Sequence, residues 1–228
     1  MASEERFHGG HFPKHIVLQA VFWYLRYSLS YRDIEELMEE RGVEVDHATV
    51  QRWVVKYTPI LEAEFRKRKK TVGTSWRMDE TYIKVKGQWQ YLYRAVDKEG
   101  NTIDFLLTKK RDKKAAKRFV IKAINHNGFP EKITIDGSAA NKAAIEEFNS
   151  DNDTAIEIRQ VKYLNNIVEQ DHRSIKRITN SMLGFKSFHS ASITLNGIEL
   201  VHMLRKRQLQ SQDNSVKKLA DIFYSLAA

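Results

Sequence analysis

The spacing of apolar residues changes twice along the chain, and those changes divide it into three stretches. From Pro13, the run IVLQAVFWYLRY is dense enough in apolar residues for a buried helix, and proline suits a helix's first turn. After Ser28-Leu29-Ser30, the segment YRDIEELMEERG puts Ile34, Leu37 and Met38 on one stripe. Ser30 with Asp33 predicts a capping box, and Gly42 predicts the stop. Val43-Glu44-Val45 makes a short connection. Asp46 then predicts the cap of a third helix, HATVQRWVVKYTPILEAEF, which Pro59 is expected to kink or end.

From Ser75 the period falls to two. SWRMDETYIKVKG and QWQYLYRAVDKEG are rich in aromatic and β-branched residues, with Gly87 between them, and NTIDFLLTKKR follows the turn at Glu99-Gly100-Asn101. These three segments predict an antiparallel meander. DKKAAKRFVIKAINHNG then reads as a helix, EKITIDGS as a strand, NKAAIEEFN as a helix, IEIRQV as a strand and NNIVEQDHRSIKRITNSM as a helix. The order β-β-β-α-β-α-β-α predicts a mixed sheet flanked by helices, an α/β layer architecture.

The last stretch is helical again. SITLNGIELVHMLRKRQ spaces Leu195, Ile198, Val201 and Met203 or Leu204 as core positions. SVKKLADIFYSL does the same with Val216, Leu219, Ile222, Phe223 and Leu226. The expected division is residues 1–64, a basic linker at 65–74, an α/β domain at 75–186, and C-terminal helices at 187–228. Those helices are expected to pack on the α/β domain or in a dimer contact.

Charge narrows the function classes. The net charge of +9 over 228 residues points to nucleic acid or another anionic surface. The absence of cysteine excludes disulfides, thiolate zinc sites and cysteine nucleophiles. GxxxxGK[ST], GxGxxG and HExxH are absent, which leaves a nucleotide-hydrolysing or dinucleotide-binding reading without support. MASEERFHGG has acids and no apolar core, so no signal peptide is expected, and no apolar run is long enough to span a membrane.

The first three helices match a helix-turn-helix pattern with the third as reader. His47, Thr49, Gln51, Arg52 and Lys56 are the side chains available for groove and phosphate contacts. A plain three-helix bundle with a solvated face fits the same pattern. The run Arg66-Lys67-Arg68-Lys69-Lys70 suits either a solvated linker or a phosphate backbone.

Three acids stand out further on. Aspartate is disfavoured inside strands, yet Asp79 falls inside WRMDETYIKV, where it needs a partner or a metal; Lys84 or Arg94 could satisfy it. Asp136 ends a strand and precedes Gly137-Ser138, where ligands gather and where turn-capping aspartates are also common. Glu169 could close an Asn capping box with Asn166. It also shares a helix face with His172, Arg173 and Lys176, while Val168, Ile175, Ile178 and Met182 form an apolar stripe that could dock the helix on the sheet. Three acids on two strands and a helix are what a two-metal phosphoryl-transfer site requires.

WYLRYSLSYRDIEELMEERGVEVDHATVQRWV, SWRMDETYIKVKGQWQYLYRAVDKEGNTIDF, KYLNNIVEQDHR and MLGFKSF together resemble the IS6 (IS26-like) family of bacterial insertion-sequence transposases over nearly the whole chain. The resemblance implies a helix-turn-helix DNA-binding domain at 1–64 and an RNase H-like catalytic domain at 75–186. It implies a DDE triad of Asp79, Asp136 and Glu169 holding two Mg²⁺ or Mn²⁺ ions. Lys176 matches the basic residue one heptad past the glutamate, and Asn165-Asn166 the family's asparagine pair. Arg173 and Lys176 are expected to face DNA; His172 either orients the site or is structural.

The activity implied is binding of terminal inverted repeats, cleavage to expose 3′-OH ends, and strand transfer into target DNA by a replicative cointegrate route. It would be carried out by a homodimer or larger synaptic assembly, in the cytoplasm at the nucleoid. The Asp136–Glu169 spacing is a couple of residues shorter than usual in that family, and the difference falls in FNSDNDTAIEI. Two alternatives are a regulator that uses the helix-turn-helix alone and an RNase H-like nuclease that cuts without joining.

Overall fold

The computed structural model describes residues 12–182, 184–210 and 218–227, with the backbone alone at Lys162. In chain order the elements are α1 (Lys14–Arg26), α2 (Tyr31–Glu39), α3 (His47–Lys67), β1 (Ser75–Val85), β2 (Gln88–Asp97), β3 (Thr102–Thr108), α4 (Lys113–Asn127), β4 (Lys132–Ile135), α5 (Ala139–Asn152), β5 (Glu157–Gln160), α6 (Asn166–Thr179), α7 (Phe188–Arg205) and α8 (Leu219–Tyr224). They form two units: 1–70 with 175–228, and 71–174.

The helical unit starts as its sequence predicts. Ser30 and Asp33 form a reciprocal capping box on α2. The Asp46 carboxylate accepts the backbone N–H of Thr49 at the start of α3. Pro59 does not end the helix, since α3 runs through it to Lys67. Val54, Tyr57, Leu61 and Phe65 are buried on either side of it, so packing along that face holds the helix where proline removes one hydrogen bond.

The C-terminal helices also differ from expectation. They belong with α1 and α3 rather than with the sheet. Gly197 on α7 shows how closely they pack: a Cβ there would lie 2.5 Å from one Leu25 methyl and 2.9 Å from the Thr58 methyl. Phe223 of α8 is fully buried, its ring 5.2 Å from Phe22 of α1. The expected core position Val216 lies outside the described residues.

The second unit is a five-stranded sheet in the order β3-β2-β1-β4-β5. The first three strands form the expected antiparallel meander, and β4 and β5 run parallel to β1. This order and these directions make an RNase H-like sheet. Alternation along the strands gives it two unlike faces. Trp76, Met78, Tyr93, Ala95 and Ile103 pack with Ala116, Phe119 and Val120 of α4 and Ile145 and Phe148 of α5 into one core. Burying side chains of this kind is worth about 1.5–3 kcal/mol each before the entropy of ordering them. The opposite face carries Asp79.

The α5–β5 connection is closed by one side chain. Asn149 donates to the Ile156 carbonyl at 3.0 Å, and its amide oxygen accepts from Ile156 N–H and the Thr154 hydroxyl. No helix among the described residues is long and apolar enough to cross a membrane.

Candidate active site

Asp79 sits in the middle of β1, directly opposite Arg94 on β2. The sequence left Arg94 and Lys84 as partners for it. Arg94 is fully buried and donates to Asp171 of α6 at 2.7 Å, and Lys84 is exposed on the other face of the strand. Burial, followed by repulsion from Glu80, Asp136 and Glu169, pushes the Asp79 carboxyl up to about 7. Asp136 at the end of β4 and Glu169 in the first turn of α6 are thus near enough to act on the charge of Asp79.

Each acid is held by its own element. Asp136 accepts the Ser138 backbone N–H at 3.0 Å, and Ser138 in turn caps α5 through Asn141 N–H. Glu169 is exposed near the start of α6. The Asn capping box predicted for it does not form. A 3₁₀ turn over Lys162–Asn165 leads straight into α6, and Asn166 already has helical angles of φ −51° and ψ −31°. A capping residue needs an extended backbone. Asn165 does the anchoring instead: it is fully buried and donates to the Met78 carbonyl at 3.2 Å, tying the start of α6 to β1 beside Asp79.

The shared polar face of α6 is less uniform than its spacing suggests. His172 is buried, with Nδ1 3.7 Å from an Asp79 oxygen, while Arg173 and Lys176 are exposed. The apolar stripe divides between the units. Val168 lies in the sheet unit, and Ile175, Ile178 and Met182 lie in the helical one, where Met182 meets the Tyr24 hydroxyl.

Sequence reasoning missed a second set of charges. Glu80 follows Asp79 but points to the opposite face, where its side chain is almost fully buried. It pairs with Nε of Arg111 and accepts from Asn141 Nδ2 at 3.1 Å. Arg111 is partly exposed, and its other end stands 3.9 Å from an Asp136 oxygen. The signal was the pair Asp79-Glu80 itself, since adjacent strand residues face opposite ways and two acids there cannot both meet solvent.

Among the described residues no group of three or more His, Asp or Glu side chains is arranged to hold a metal ion. Mg²⁺, however, binds through one or two carboxylates and completes its sphere with water and substrate phosphate. Asp79 fits that cation chemically: burial and then the neighbouring acids raise its carboxyl, and a cation that replaces the proton would meet a hard oxygen donor among other negative charges.

In the helical unit, His47, Gln51, Arg52 and Lys56 are exposed on α3. His47 meets Glu35 at 2.9 Å. Thr49 donates its hydroxyl to Asp46 and accepts from Arg52 at 2.6 Å, so it joins the cap to Arg52.

A family described as a DDE domain matches residues 73–208. The transposase of the insertion sequence-like element IS431mec from Staphylococcus aureus is 45% identical over 205 residues, covering 88% of each chain. This chain belongs to the IS6 family of DDE transposases. The Staphylococcus aureus transposase of IS257 in transposon Tn4003 is similar to the same extent. Among solved structures, the chain is similar to the HTLV-2 integrase catalytic core domain in complex with magnesium, at 20% identity and a TM-score of 0.47, over 68% of this chain and 99% of that one.

Proposed function

We propose that this transposase binds the terminal inverted repeats of its insertion sequence, cuts to expose 3′-OH ends and joins those ends to target DNA. The route is replicative and yields cointegrates. The working form is a homodimer or larger synaptic assembly, acting in the bacterial cytoplasm at the nucleoid. The observation that supports this reading is that Asp136 and Glu169, on separate elements, both act on the charge of the buried Asp79 carboxyl.

In this reading residues 1–64 are the helix-turn-helix module and residues 75–186 the catalytic domain. His47, Gln51, Arg52 and Lys56 meet the end sequence, with Thr49 positioning Arg52. Asp79, Asp136 and Glu169 would hold two Mg²⁺ or Mn²⁺ ions. When bound, such ions activate the attacking oxygen and stabilise the leaving one. His172 steadies the Asp79 carboxylate from behind. Arg173 and Lys176 contact phosphates flanking the cut.

The test is a strand-transfer assay on labelled end DNA with and without Mg²⁺. Joined product that appears only with metal is expected. Nicked product without joining would favour the nuclease reading. Specific end binding with neither product would favour a DNA-binding regulator.

A further inference from the structure

The β1–β2 hairpin continues past the rest of the sheet. β4 pairs only with Ser75–Arg77 of β1, and β3 pairs with β2 no further out than Tyr91. Tyr82 to Tyr91 is thus a two-stranded ribbon, closed by a two-residue turn in which Lys86 and Gly87 both take positive φ. One face is buried through Ile83, Val85 and Leu92. The other shows Trp89 at 61% and Tyr82 at 46% exposure. The Tyr82 ring lies 6.3 Å from Trp89 and 5.4 Å from Tyr91. Lys84, directly opposite Trp89, and Lys86 stand exposed among them.

Large aromatic groups left open to water and interleaved with lysines have the chemistry of a nucleic-acid stacking platform. The rings accept base faces and the ammonium groups track phosphates. A second copy of the chain is a poorer occupant. The exposed ribbon residues Tyr82, Lys84, Lys86, Gln88 and Trp89 include no acid, so a two-fold contact would set lysine against lysine. The inner end of the same face runs to Glu80, on the side of the sheet opposite Asp79, and approaches the active site through Arg111 and Asp136. Glu80 is two residues before Tyr82, and its partner Arg111 reaches toward Asp136.

We propose that the exposed face of this ribbon, centred on Trp89 and Tyr82, binds unpaired bases of the DNA strand next to the cut. It would thereby hold the 3′ end open for joining. This rests on the transposase reading of the active site.

The test uses full-length protein and an end duplex with 2-aminopurine at the bases flanking the cut. Wild type quenches the 2-aminopurine. Trp89→Ala is expected to lose the quenching and at least about tenfold in strand transfer, while binding of the intact end duplex is kept and Trp89→Phe recovers most of both. Four results would overturn the proposal. Quenching and strand transfer in Trp89→Ala could match wild type. Wild type could join ends without quenching, which would leave the transposase reading intact. Sedimentation could show that Trp89→Ala dissociates a wild-type dimer, making the ribbon a self-association surface. Wild type could join no ends at all, in which case the transposase reading fails with it.

Discussion

Ionising Asp79 costs this fold free energy, and that cost sets a pH dependence. Burial and then the neighbouring acids push its carboxyl up to about 7, from 3.8 for the ordinary group. The folded state therefore binds the proton more tightly than the unfolded one. The stabilisation from protonated Asp79 is fully present below about 3.8 and is lost as pH rises through about 7. Asp79→Asn should flatten that part of the stability curve, as denaturant titrations at pH 5 and pH 8 would measure. A divalent ion must displace the same proton, so the rise in Tm on adding Mg²⁺ should be larger at pH 8 than at pH 6. Glu80 and Arg111 form the other charged pair near the site. Arg111→Ala leaves a buried carboxylate without its cation and should cost about 3 kcal/mol, the low end for breaking a buried pair because Arg111 is partly solvated. Urea unfolding measures this, and a loss under 1 kcal/mol would show that Asn141 suffices. Asp79 was legible in sequence because an aspartate within a strand needs a reason. Arg111 was not, because it sits in a loop among other basic residues and its partner is distant in sequence.

Helix α6 shows which properties of an element can be read from spacing. Its existence, its exposed Glu169 and its buried Val168, Ile175 and Ile178 all follow from periodicity. Its start does not, because a helix entered from a 3₁₀ turn needs no capping side chain and the signal at Asn166 carried no weight. Nor could periodicity show that one stripe serves two units. Helix α7 makes a comparable point through Gly197, which reads as an ordinary helix-weakening glycine. In the fold it lets α7 come close to Leu25 and Thr58. Gly197→Ala should therefore destabilise by about 1–3 kcal/mol through overpacking, despite alanine's better helix propensity. Thermal unfolding of the variant checks the sign, and a higher Tm would show that Leu25 yields freely.

At the scale of the whole molecule, chain order and spatial order part company. The period change near Ser75 was legible, and with it the α/β class and the succession of strands and helices. The return of residues 188–205 to the first helices was not, since apolar spacing marks a buried face without naming what covers it. The structure makes 1–70 and 175–228 one unit. Deleting residues 187–228 should therefore remove the cooperative unfolding of the N-terminal helices and lower end binding. Circular dichroism and a mobility-shift assay would register both, and intact binding by residues 1–186 would mean the first three helices stand alone.

Joint action of Asp79, Asp136 and Glu169 in DNA joining is tested with the three carboxylate variants. Asp79→Asn, Asp136→Asn and Glu169→Gln should each abolish strand transfer in Mg²⁺ while binding inverted-repeat DNA about as well as wild type. Normal strand transfer by any one of them would contradict the account.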